Sequence, residues 1–200
     1  MGESCVMLRL IGFYDYTVIL TYLSLVSAVV GMIQASQGRF DVSIVCLMLS
    51  GICDAFDGRV ARSKKNRTED EKDFGIQLDS LCDVISFGVF PAFLCYFMGL
   101  NGIIGIIIVC IYCICAVIRL AFFNVLEGKR QKTEGGSNKV YRGMPVTTIS
   151  IIFPLVYVAK FFVTKSLFVI ILHIMLALAA FLFVLDFEVK KPAILLAHKE

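Results

Sequence analysis

Four aspartates lie inside segments apolar enough to sit in a lipid bilayer: Asp54 and Asp57 in one, Asp79 and Asp83 in the next. Near a helix centre each ionised carboxylate costs roughly 2.5 to 3.5 kcal/mol on insertion scales, so four together, uncompensated, would cost on the order of 10 kcal/mol. A chain that keeps them must neutralise them jointly. A bound divalent metal is the simplest candidate.

The surrounding composition is that of a membrane protein: 58% hydrophobic residues, 17 Phe and no Trp in 200 residues, with a mean hydropathy of +0.85. A window of about 19 residues finds six apolar stretches, near 16–34, 41–60, 75–97, 101–123, 146–163 and 166–187. The expected fold is therefore all-α and polytopic, with six transmembrane helices and residues 1–200 forming a single integral-membrane domain. No small-residue cleavage site follows a short apolar core near the start, so no removable signal peptide is expected. Residues 4–13 instead read as a short N-terminal interfacial helix, with Arg9 toward water and Val6, Leu8, Leu10 and Ile11 toward lipid.

Basic residues set the expected orientation. With the N-terminus cytoplasmic, sixteen of the 19 lysines and arginines fall on the inner side, and Arg39, Lys160 and Lys165 on the outer. Both termini are then cytoplasmic in the cell membrane. The net charge of +3 reads as a topology signal, and the basic loops as contacts for anionic membrane lipids rather than for nucleic acid. Among the eight cysteines, Cys110 and Cys113 have CxxC spacing, but they lie mid-helix among Ile and Val with no second pair or nearby His, and read as packing residues. His173 and His198 have no acid at ligand spacing and read as structural or solvated.

On an α-helix, Asp54, Asp57, Gly58, Ala61 and Arg62 fall at i, i+3, i+4, i+7 and i+8, one stripe. Gly75, Asp79 and Asp83 form a second, at i, i+4 and i+8. The loop between them, 63–74, is short and carries eight charged residues, so its helices are expected to pack antiparallel and bring the stripes face to face. Thr68 followed by Glu71 reads as a capping box, starting the third helix before it enters the membrane. Four carboxylates would converge in the cytosolic half of the bilayer, an all-oxygen setting suited to Mg²⁺ or Mn²⁺ rather than zinc. Gly58 and Gly75 leave a wall without side chains, which a phosphate-bearing ligand could approach closely, or which could serve close helix packing. Arg62 is placed to fork onto a phosphate.

The pattern D-x-x-D-G-x-x-A-R, a spacer, then G-x-x-x-D-x-x-x-D resembles the signature of the CDP-alcohol phosphotransferases, with every fixed position filled. The spacer, twelve residues here, is longer than usual for that family. A narrower likeness, to bacterial and archaeal phosphatidylserine synthases, is carried by the run from Phe74 to Ala92, by Arg119-Leu-Ala-Phe-Phe-Asn124 and by Tyr141-Arg-Gly143-Met-Pro-Val146. This chain departs from those enzymes at Phe122, where they usually carry Arg, and after Gly143, where it reads Met-Pro-Val-Thr-Thr148.

The resemblance implies transfer of a phosphatidyl group from CDP-diacylglycerol to the hydroxyl of L-serine, giving phosphatidylserine and CMP. It implies two divalent cations, Mg²⁺ or Mn²⁺, held by Asp54, Asp57, Asp79 and Asp83, with Asp83 as general base, and Gly58, Ala61, Arg62 and Gly75 lining the CDP and phosphate site. Arg119, Asn124 and Gly143 become candidates for serine or phosphate, Arg119 otherwise snorkelling to headgroups. A homodimer is also implied. Other acceptors in the same reaction class are glycerol 3-phosphate, inositol phosphate or a second lipid. A cation-coupled transporter would bury carboxylates too, but is expected to show two matching halves, whereas here all four acids belong to one hairpin.

Overall fold

Small and hydroxyl-bearing residues make the first contact of the fold. In the computed structural model, which describes residues 12, 16–64, 68–132 and 140–190, helix α1 (Ile19–Ser36) buries Thr21, Ser24, Ser27, Ala28, Gly31 and Ala35 along one face. That face packs along α2 (Phe40–Ser63). A tight turn reverses the chain between them: Gly38 has φ +74, and the amides of Gly38 and Arg39 close on the carbonyls of Ala35 and Gln34 at 3.0 and 2.9 Å. At Gly31 any side chain would run into the Phe90 ring and the Cys46 Cβ, so close approach of the backbones depends on that glycine.

Helix α3 (Glu69–Asp83) starts where the sequence signalled. Thr68 Oγ1 accepts from the Glu71 amide at 3.2 Å and Glu71 Oε2 accepts from the Thr68 amide at 2.9 Å, a complete capping box. It continues through a π-helical segment, Val84–Val89, into α4 (Phe90–Met98). Helix α5 (Ile103–Lys132) braces the widened turns: Tyr112 OH donates to the Phe87 carbonyl at 2.6 Å and Cys113 Sγ to that of Gly88 at 3.5 Å. Helix α6 (Ile149–Val158) lies between 3₁₀ turns at Val146–Thr148 and Ala159–Phe161, and α7 (Lys165–Val184) is capped by Thr164. Helix α4 packs against α1 and α5, α5 runs along α7, and α6 lies against α2. Phe87, Phe90, Leu94, Tyr112, Phe153, Leu176 and Phe183 fill the centre.

Among the described residues, one two-stranded ribbon breaks the helical pattern. Strand β1 (Val140–Arg142) pairs antiparallel with β2 (Glu188–Lys190), Tyr141 opposite Val189. The ribbon ties the segment before α6 to the chain leaving α7.

The outer surface is apolar. Ile103 is 80% exposed, Ile104 71% and Phe162 82%, while Ser24, Ser27, Ser43, Ser50, Ser86 and Ser150 are buried. That inversion suits a surface facing hydrocarbon. Among the described residues, four segments have the length and apolarity of membrane spans: Ile19–Ser36, Glu69–Met98, Ile103–Leu126 and Lys165–Val184. Six had been expected from hydropathy. Helix α2 is long, at 24 residues, but carries Asp41, Asp54, Asp57, Arg59 and Arg62, and Val146–Phe161 is shorter than the roughly 20 residues typical of a span. Apart from Gly12, the expected interfacial helix at residues 4–13 lies outside the described residues, as does His198.

Candidate active site

The end of α2 and the start of α3 are joined by charge as well as by chain: Lys64 Nζ lies 3.2 Å from Glu71 Oε1. The two helices present their acidic stripes to one another as the spacing requires. Carboxylate oxygens of Asp54, Asp57 and Asp79 all lie within 4.8 Å of one another. Asp57 and Asp79 are within hydrogen-bonding reach, as are Asp54 and Asp83. The expected convergence of four is therefore a trio with Asp83, buried, standing against Asp54 one turn further along α3.

Two features show what this cluster lacks. Like charges this close, largely withdrawn from water, repel strongly. Neither Asp79 Oδ1 nor Ser86 Oγ, both buried, has a hydrogen-bond partner among the described residues. An orphaned oxygen in an all-oxygen set is the arrangement a hard divalent cation completes, and the donors fit Mg²⁺ or Mn²⁺.

Helix α1 adds a residue the sequence reading missed. Thr21 Oγ1 donates to Asp57 Oδ2 at 3.3 Å, and Thr21 is buried. Its signal was the stripe of small and hydroxyl residues on α1 at Thr21, Ser24, Ser27 and Gly31, readable as a helix face but not as a partner for Asp57.

Of the other predicted residues, Gly58 and Gly75 are half-buried on their stripes. The side chains of Ala61 and Arg62 lie outside the described residues. Arg119, buried on α5, comes together with Gly143: its Nε donates to the Met144 carbonyl at 3.1 Å, and a Cβ at Gly143 would meet Arg119 Nη1 and the Leu185 carbonyl at 3.0 Å each. Gly143 has φ +64, so both conformation and space call for glycine. Asn124 has a different neighbour: Ser80 Oγ donates to Asn124 Oδ1 at 2.6 Å, linking α3 to α5 beside Asp79.

Residues 16–186 match the family model for CDP-alcohol phosphatidyltransferase. The chain belongs to this family. Within it, the chain is similar to the archaetidylserine synthase of Methanothermobacter thermautotrophicus, 30% identical over 145 residues, 72% of this chain and 58% of that protein. It is 36% identical over 108 residues to the CDP-diacylglycerol–serine O-phosphatidyltransferase of Methanocaldococcus jannaschii, covering 54% of this chain and 49% of the relative. The Saccharomyces cerevisiae protein of the same name is 33% identical over 116 residues, 56% and 41% of the two chains. The matches thus span about half the length of these curated relatives. The cluster of Asp54, Asp57 and Asp79 is consistent with a divalent metal site typical of this family.

Proposed function

We propose that this protein transfers a phosphatidyl group from CDP-diacylglycerol to the hydroxyl of L-serine, yielding phosphatidylserine and CMP. One observation carries the reading: three carboxylates from two helices within 4.8 Å of one another, one oxygen of which has no hydrogen-bond partner among the described residues. The family match supports the reaction class, and the names of the similar proteins support serine as acceptor.

Asp54, Asp57, Asp79 and Asp83 would hold a pair of divalent cations, Mg²⁺ or Mn²⁺. When bound, these cations offset the charge of the pyrophosphate and of the departing CMP. Gly58 and Gly75 let the nucleotide approach the backbones of α2 and α3, and Arg62 binds a phosphate. Asp83 receives the proton of the serine hydroxyl as its oxygen bonds to the phosphorus that carries diacylglycerol. The bond from that phosphorus to the CMP oxygen breaks in the same displacement. A carboxylate is too weak a base to ionise a free alcohol, so Asp83 acts only as the new bond forms. Arg119, Asn124 and Gly143 belong to the side of the site that receives serine or phosphate.

The chain acts as one integral-membrane unit of six spans and as a homodimer, with both termini and the acidic cluster toward the cytosol. Lipid then enters sideways while serine and the CDP head arrive from water. The test is CMP release from CDP-diacylglycerol with L-serine, glycerol 3-phosphate or inositol phosphate, each with and without Mn²⁺. Release with serine and Mn²⁺ alone is expected. Release that persists without metal, or that requires another acceptor, contradicts the reading.

A further inference from the structure

Ser80 follows Asp79 directly and lies one turn before Asp83, so its side chain flanks the acidic stripe of α3. A mid-helix serine ordinarily turns its hydroxyl back to a carbonyl of its own helix. Ser80 instead donates across to Asn124 Oδ1 on α5, at 2.6 Å over a separation of 44 residues. In the structure the amide stands with its oxygen toward Ser80. With Oδ1 held by Ser80, Nδ2 faces away from it, and its two hydrogens have no protein partner among the described residues. Asn124 is half-buried, so these donors remain within reach of a ligand.

A neutral amide is well suited to this position. The aspartates can only accept hydrogen bonds when ionised, and an added lysine or arginine would compete with cations for their oxygens. An amide supplies two N–H donors to an anionic oxygen without that competition. Resting on the reading of this site as a transferase centre, we propose that Ser80 is a positioning residue. It holds Asn124 so that Nδ2 donates to an anionic oxygen of the substrate bound beside the carboxylates. That oxygen belongs either to the carboxylate of an amino-acid acceptor or to a phosphate of the CDP-lipid.

The full-length protein in lipid–detergent micelles with Mn²⁺, as wild type, Ser80→Ala, Ser80→Thr and Asn124→Asp, is titrated separately with L-serine and CDP-diacylglycerol by calorimetry, with CMP release measured in parallel. Ser80→Ala is expected to weaken one substrate about tenfold while leaving the other and Mn²⁺ affinity unchanged. Ser80→Thr restores it, and Asn124→Asp loses more than Ser80→Ala. Weakened serine identifies a carboxylate as the partner, and weakened CDP-diacylglycerol a phosphate. Unchanged binding of both substrates by Ser80→Ala, a fall in Mn²⁺ affinity parallel to the substrate loss, or a threonine variant that restores nothing overturns the proposal. Wild type that binds both substrates yet releases no CMP overturns the transferase reading, while the comparison of variants still decides the role of Ser80. Wild type that binds neither overturns both.

Discussion

Two polar layers lie along α2, and they are built on opposite terms. Toward its first half, against α1, the hydroxyls satisfy one another and the backbone: Ser24 and Ser50 are 2.7 Å apart, Ser27 donates to the Cys46 carbonyl at 2.9 Å and Ser43 to that of Gly31 at 2.8 Å. Toward its second half, against α3, three carboxylates crowd together and a buried oxygen is left over. The serine layer is complete as it stands and serves packing. The aspartate layer is complete only with something added, which separates a site from a seam between the same helices.

The sharpest way to break that distinction is at Asp79. Asp79→Asn removes a charge and a ligand oxygen together, and CMP release is expected to fall about 10³-fold, equivalent to several kcal/mol of lost transition-state stabilisation. Helicity by circular dichroism stays the same, because charge repulsion in the cluster is relieved. A fall in helicity equal to the fall in activity would make the aspartates a packing layer like the serines.

Next in size is Gly31→Ala, on the packing side. The new methyl meets the Phe90 ring and Cys46 Cβ, and overpacking of this kind costs about 1–3 kcal/mol. Thermal unfolding in detergent should show a lowered Tm, with Mn²⁺ affinity in the folded protein unchanged.

Thr21 sharpens the boundary, since it lies on the serine face of α1 yet donates to Asp57. Thr21→Val keeps the shape and removes the donor; Mn²⁺ affinity is expected to drop roughly tenfold, within the range for groups that orient metal ligands, and Thr21→Ser to recover it. If the valine variant binds Mn²⁺ as well as wild type, Thr21 belongs to the packing layer. The smallest effect is expected at Ser50→Ala, where the loss of an interhelical hydrogen bond is worth ~0.6 kcal/mol in a membrane setting. That variant should unfold slightly earlier and turn over at the wild-type rate.

Much of the acidic side was legible because helical periodicity is local. Spacings of three and four put Asp54 with Asp57 and Asp79 with Asp83, and the short loop after Ser63 left an antiparallel hairpin as the natural arrangement. Thr68 and Glu71 announced the start of α3 for the same reason: both partners of the capping box lie within one turn. What stayed hidden depends on distant partners. Thr21 finds Asp57 over 36 residues and Ser80 finds Asn124 over 44, and nothing at either position alone names its mate. The π-helical segment at Val84–Val89 has no repeat of its own in the sequence; its carbonyls are taken up by Tyr112 and Cys113 from another helix. The ribbon between Val140–Arg142 and Glu188–Lys190 joins two short segments with α6 and α7 between them, too brief for alternation to show.

The aspartate layer as a cation-binding centre is tested most directly by titrating Mn²⁺ into the wild-type protein and Asp57→Asn, following the loss of the free-ion electron paramagnetic resonance signal. The expected result is saturable uptake of a pair of ions by wild type, greatly weakened in Asp57→Asn at unchanged helicity. Equal uptake by the two proteins, or none by wild type, would contradict it.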